Sequence, residues 1–115
     1  MAGEFFEDLS EGDRLDCLPV IFTRENIVNF AAEFDPQPFH VDEKRAGKSI
    51  FGGLVASALH VLSACTRVVV DAQGELAIIS GLGMDEVRIF TPVRPGDTLN
   101  VEAQWLDLKR SKNKP

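Results

Sequence analysis

Cysteine, histidine and basic residues are all scarce in this chain. Its 115 residues include two cysteines, Cys17 and Cys65, and two histidines, His40 and His60. The cysteines form no Cys-x-x-Cys pair and Cys65 sits in an apolar run, which fits buried, reduced thiols in a cytosolic protein. Dispersed as they are, these four residues make no recognisable metal set, so no metal is expected. Twelve Lys and Arg stand against eighteen Asp and Glu, a net charge of −6. That excludes the basic footprint of non-specific nucleic-acid binding. There is no Gly-x-Ser-x-Gly and no phosphate-binding glycine loop, and Gly81-Leu82-Gly83 lacks the third glycine and following helix of a dinucleotide site. The opening MAGEFFEDLSEGD has no basic n-region, so no signal peptide is expected.

A long uninterrupted hydrophobic run is also lacking. Residues 49–66 contain no Asp, Glu, Lys or Arg, a length near the roughly 18–20 residues of a spanning helix. Gly52, Gly53, Ser57, His60 and Ser63 interrupt it, so a buried core helix is expected and no membrane span. The length and the 44% hydrophobic content support one domain over 1–115. A domain of this size buries only roughly 65% of its unfolded surface, so burial through a partner subunit would help.

Residues 14–22 place Leu15, Cys17 and Ile21 on one alternating face of a strand, with Pro19 pushing it toward an edge or bulge. Thr23 is placed to cap a helix carrying Ile27, Phe30, Ala31 and Phe34 at helical spacing, with Glu25 in its first turn. That helix should end at Phe34 or Asp35, because Pro36 disfavours helical backbone before it. Asp35 to His40 reads as a stiff irregular loop set by two prolines, and 41–48 as polar with room for a helical turn. Gly52-Gly53 opens the long apolar segment, which ends near Asp71–Gly74. Strands are expected over 77–80 and 84–90, with a bulge at Gly81 and Gly83. Arg94-Pro95-Gly96-Asp97 has type II turn chemistry, and Leu99, Val101, Ala103 and Trp105 alternate with polar residues as in a half-buried antiparallel strand. One very apolar helix beside antiparallel strands implies an α+β architecture with a sheet curled around the helix.

Chemistry concentrates on the proline-rich loop. Asp35 and His40 lie five positions apart, held by prolines, and a general acid–base site needs groups held within reach of one water. An imidazole with a pKa of about 6.5 can take and return a proton near neutral pH. The alternative is structural: Asp35 as a helix-terminal or Asx-turn residue and His40 as a partly buried histidine. Gly52 and Gly53, at the expected helix start, would let a ligand approach free backbone N–H groups that stabilise an oxyanion, or would simply serve a turn. His60, in mid-helix, reads as a core histidine with a satisfied proton. Lys109, Arg110, Lys112 and Lys114 form a candidate basic patch for a polyanionic ligand, or a solvated end.

The runs FAAEFDPQPFHVD and IFGGLVASALH, with VRPGDTLNVEAQW downstream, resemble the MaoC-like dehydratases and R-specific enoyl-CoA hydratases. Asp35, Pro38 and His40 fall on the aspartate, proline and histidine of that family's Asp-x-Asn-Pro-x-His motif, with Gln37 in place of asparagine. Gly52 stands where many members have histidine. The resemblance implies a hot-dog fold, in which an antiparallel sheet wraps one long central helix. It also implies two further strands after the position of Trp105, so the domain is expected to be C-terminally incomplete.

By the same resemblance, Asp35 and His40 activate the water added to a trans-2-enoyl thioester, or removed from a 3-hydroxyacyl thioester. Gly53, beside Gly52, would bind the thioester oxygen. The acyl tail would meet side chains such as Phe34, Phe39, Phe51 and Leu54. No cofactor is implied beyond coenzyme A as part of the substrate. The expected partners are an acyl-CoA or acyl-carrier-protein thioester and further copies of the chain, in a homodimer or higher oligomer. A non-catalytic acyl-CoA-binding or dimerisation module, and a hot-dog thioesterase, are the competing readings.

Overall fold

The computed structural model describes residues 12–74 and 83–105. Two short strands, β1 (Arg14–Asp16) and β2 (Val20–Ile21), precede helix α1 (Arg24–Phe34). Two helical turns follow, α2 (Pro38–Val41) and α3 (Glu43–Gly47), and then the long helix α4 (Ala58–Gln73). Strands β3 (Thr98–Leu99) and β4 (Glu102–Gln104) return antiparallel onto β2 and β1. The registers pair Val20 with Leu99 and Leu15 with Ala103.

The strand expected over 14–22 is split. Pro19 has no N–H to give a ladder, and the inward face shifts by one residue across it. Leu15 and Cys17 are half-buried as expected, but Ile21 is 61% exposed while Phe22 is fully buried. The alternation of Leu99, Val101, Ala103 and Trp105 is present, each half-buried between exposed neighbours. Met84 to Phe90 is not a strand. The residues are exposed and Glu86 takes a φ of 54°, which breaks an extended run. The expected strand at 77–80, the glycine at 81 and the basic residues 109–114 lie outside the described residues.

Helix α1 starts where Thr23 can cap it. The Thr23 hydroxyl accepts from the Asn26 N–H at 3.1 Å, and the Asn26 side chain accepts from the Thr23 N–H at 2.9 Å, a reciprocal capping box. Pro36 stops the helix, and Asp35 leaves helical geometry at φ −155° and ψ 69°. Ile27 and Ala31 point into the core, but Phe34 is 61% exposed. The segment 35–40 is less irregular than its prolines imply. Pro38 occupies the first position of α2, where its missing N–H costs nothing, so the turn that carries His40 is helical. Asp42 then caps α3, accepting from the Lys44 and Arg45 N–H groups at 3.0 and 3.1 Å.

Helix α4 begins later than its apolar run. Ser57 caps it, accepting from the Leu59 N–H at 3.2 Å, so Gly52 and Gly53 lie in the preceding loop and not at the helix tip. Residues 54–57 are non-helical because their backbone is used elsewhere. The Val55 N–H donates to Phe39 O at 3.0 Å and the Ala56 N–H to Val93 O at 2.8 Å. The helix ends at Gly74, whose φ of 61° favours glycine. It packs on β1, β2 and α1, with His60 and Val61 buried and Leu59 and Val70 half exposed.

The core joins Phe22, Ile27, Ala46, Leu54, Val61 and Val93. His60 is part of its rim, lying edge-on to Phe22 and stacked on Phe30 at a centroid distance of 4.8 Å. One ring nitrogen lacks the hydrogen bond expected of it: among the described residues, the buried Nδ1 has no partner. Burial lowers its pKa below the ordinary 6.5. The unfolded chain therefore gains a proton as pH falls through about 6.5, while the folded chain resists, so stability declines below that pH. His60→Phe, which keeps the stack without a titrating nitrogen, is expected to flatten urea midpoints between pH 7 and 5. An unchanged slope would remove His60 from this role.

Cys17 and Cys65 are both free and half-buried, not fully buried. Burial, and secondarily Cys17, pushes the Cys65 thiol up. No helix among the described residues is long and apolar enough to cross a membrane.

Candidate active site

Two helix ends and the segment before α4 converge on a cavity of about 460 Å³. Asp35 comes from the C-terminal cap of α1, His40 from α2 and Val55 from the segment before α4, while Ser57, the N-terminal cap of α4, stands behind Asp35 and outside the lining. Pro36 and Pro38 set this convergence. The first ends α1 at the carboxylate, and the second restarts a helical turn that faces the imidazole back toward it.

His40 is 7% exposed, and its Nδ1 lies 2.7 Å from the Val55 carbonyl oxygen. A carbonyl can only accept, so Nδ1 carries the proton. In the neutral ring the lone pair is then on Nε2, which lies 3.4 Å from Asp35 Oδ2. The backbone thus selects the tautomer and points the basic nitrogen at the carboxylate. Two acceptors at that separation can share a water's two hydrogens. The Asp35 side chain is 23% exposed, so the pair opens to the cavity.

Ser57 completes the arrangement. Its hydroxyl is fully buried and donates to Asp35 Oδ2 at 2.7 Å while accepting from the Leu59 N–H. One oxygen therefore locks the carboxylate to the start of α4. In the sequence Ser57 stands out only as a polar interruption of the apolar run 49–66. The signal it held was Ser in front of an apolar helical run, which marks a cap. Ser57→Ala is expected to lower turnover by about tenfold, since a hydrogen bond to a charged acceptor is worth about 1.5–3 kcal/mol. The assay is steady-state kinetics on the enoyl thioester proposed below. An unchanged kcat would reduce Ser57 to a helix cap.

The apolar wall includes Phe39, Phe51, Val61, Ile89, Phe90 and Val93. Phe39 and Phe51 tilt against each other at 5.1 Å. Two other side chains named for the acyl tail do not reach it. Phe34 faces solvent and packs on Phe30, and Leu54 is buried in the core. Gly52 and Gly53 are not in the cavity lining but follow Phe51, which is. Gly52 takes a φ of 66° and donates its N–H to Ser49 O at 3.1 Å. The Gly53 N–H donates to no backbone carbonyl of the described residues. Among the described residues no group of His, Cys, Asp and Glu is arranged to hold a metal.

A model of the MaoC-like domain matches residues 9–115. The chain belongs to the MaoC-like domain family. Protein MaoC of Klebsiella aerogenes is 37% identical over 99 residues, covering 85% of this chain and 29% of that protein. The chain therefore spans under a third of that curated relative. The crystal structure of a MaoC-like dehydratase from Rhodospirillum rubrum superimposes with a TM-score of 0.84 at 43% identity, over 98% of this chain and 77% of that one. An (R)-hydratase from A. caviae, involved in PHA biosynthesis, superimposes with a TM-score of 0.66 at 21% identity, over 92% and 79%. That last likeness is one of fold. This MaoC-like domain has the hot-dog architecture, and among the described residues β1 pairs with β4 and β2 with β3, both antiparallel, beside helix α4.

Proposed function

We propose that this domain adds water to trans-2-enoyl thioesters, and in reverse dehydrates 3-hydroxyacyl thioesters. The observation that carries the reading is the bond from His40 Nδ1 to Val55 O, which leaves Nε2 as a base 3.4 Å from Asp35 Oδ2. A water held between those acceptors adds its oxygen to C3 of the enoyl group and loses one proton to the pair. The π electrons pass to the thioester oxygen as an enolate, which collapses as C2 takes a proton back from the imidazolium. The sum is H and OH across the double bond, with the enzyme restored.

The N–H of Gly53, unbonded among the described residues, is the proposed donor to the enolate oxygen. It acts from a loop, not from a helix tip. Phe39 and Phe51 are the proposed acyl-tail contacts. The substrate carries its own coenzyme A or acyl-carrier protein, no other cofactor is called for, and the domain works in the cytoplasm as a homodimer or larger oligomer. Membership of a family with a dehydratase relative at 43% identity supports the reading.

Crotonyl-CoA mixed with the full chain tests it. Loss of the conjugated enoyl absorbance with the thioester intact is the expected result. Release of free thiol would make the protein a thioesterase instead, and binding without turnover would make it an acyl-CoA-binding module.

A further inference from the structure

We propose that Arg94 is a positioning residue, a strut that holds the Phe51–Gly53 loop at the lip of the cavity and so governs substrate binding. It rests on the hydratase reading for its kinetic consequence, but not for its structural one.

Three observations meet at this side chain. Its Nη2 donates to Phe51 O at 2.6 Å, a part-buried bond across 43 residues of sequence. Its Nη1 lies 3.3 Å from where a Cβ on Gly53 would stand. A Cβ at 53 would press on the guanidinium by a few tenths of an ångström, so glycine favours the close approach. The base of the strut is also fixed. Asp97 Oδ2 accepts from the Arg94 N–H at 2.9 Å, and the Asp97 N–H donates to Arg94 O at 3.0 Å. Gly96 has a φ of 89°, as the third residue of a type II turn requires. That turn is tied on both sides to the fully buried Phe22: the Phe22 N–H donates to Asp97 O at 2.9 Å, and the Gly96 N–H to Phe22 O at 2.7 Å.

A rigid turn anchored in the core thus reaches across to a loop with few tethers of its own. The loop's other hydrogen bonds among the described residues are local: Ser49 gives its N–H and its hydroxyl to Ala46 O at 3.0 and 2.6 Å, the Gly52 N–H donates to Ser49 O, and the Phe51 N–H donates to Ser49 Oγ at 3.2 Å. The strut is its long-range anchor. Phe51 lines the cavity and its ring meets Phe39, so a displaced loop changes the wall that the substrate touches. Asp35, His40 and Ser57 are tied to one another and to Val55, independently of Arg94.

The test uses the full chain as wild type, Arg94→Ala, Arg94→Lys, Gly53→Ala and the double variant Arg94→Ala/Gly53→Ala. Amide hydrogen exchange over 49–53 reads loop order, and crotonyl-CoA hydration reads KM and kcat separately. Arg94→Ala is expected to speed exchange over 49–53 without changing exchange in α1. It should raise KM, through Phe51, and lower kcat, through the proposed oxyanion donor Gly53, with a combined loss of about tenfold in kcat/KM, the worth of one charge-assisted hydrogen bond. Arg94→Lys, which can still give one bond to Phe51 O, should recover part of that loss. Gly53→Ala, whose Cβ presses on Arg94 Nη1, should act in the same direction, and in the double variant the two effects should not add in full, because both disturb one contact.

Exchange over 49–53 that stays at the wild-type level in folded Arg94→Ala overturns the strut. Faster exchange with an unmoved kcat/KM overturns its role in binding. A wild-type protein that hydrates nothing overturns the hydratase reading, and faster exchange in Arg94→Ala would then still support the strut.

Discussion

His40→Ala and Asp35→Asn are each expected to reduce kcat for enoyl-thioester hydration by about 10²–10⁴-fold, the usual contribution of one general acid–base group. The two substitutions probe different links. Alanine at 40 removes the ring whose Nδ1 is bound to Val55 O, so it also opens space and leaves a carbonyl with one partner fewer. Some loss of stability accompanies it. Asparagine at 35 is nearly isosteric, and its amide oxygen can still accept from Ser57 Oγ. It removes the charge while leaving the geometry, so its effect on rate should come with little change in Tm. Because both side chains address one water, the double variant should lose much less than the product of the single losses. An active wild type whose two variants keep its rate would show that the pair has been given the wrong task. A loss confined to His40→Ala would make Asp35 an orienting group only.

How much of this site was legible in the sequence depends on the range of the interaction that builds each part. Local rules were enough for the Thr23 cap, the stop before Pro36, the Pro-Gly turn at 94–97 and the alternation through Trp105. Each of these is decided within about four residues. The pairing of Asp35 with His40 was also within reach, because prolines limit how far apart that short segment can hold them. The resemblance to MaoC-like proteins named the same two residues independently.

What escaped the sequence was set by contacts far along the chain. The start of α4 moved from Gly52 to Ala58 because Val55 and Ala56 spend their N–H groups on Phe39 and Val93, and no periodicity reports a hydrogen bond to another element. Ser57 gained its place at the carboxylate through the same shift. Phe34 has helical spacing suited to a core face, yet the wall beyond it is open. Ile21 and Phe22 exchanged sides because Pro19 interrupts the strand and resets its alternation. The strut from Arg94 to Phe51 spans 43 positions and left no trace in composition or spacing.

Phe22→Ala is expected to destabilise the domain by about 3–5 kcal/mol, the usual cost of emptying a fully buried aromatic site. Against a total of about 5–15 kcal/mol for a domain, that is between a fifth and the whole of the stability. Phe22 is completely buried and its ring lies 4.9 Å from His60 at 66°, edge to face. Its backbone, not its ring, binds the Pro-Gly turn, so alanine keeps those bonds and the measured loss isolates packing. Ile21→Ala is the control. Its side chain is 61% exposed and should cost no more than about 0.5 kcal/mol. Urea melts at one pH decide between them, and equal costs would mean that the strand faces the other way. Phe22→Ala has a second, separable consequence. The space it leaves adjoins the imidazole of His60, whose Nδ1 lacks a partner among the described residues. Water admitted there lowers the penalty for charging the ring, so the variant should lose less stability than wild type as pH falls from 7 to 5, although it starts from a lower value.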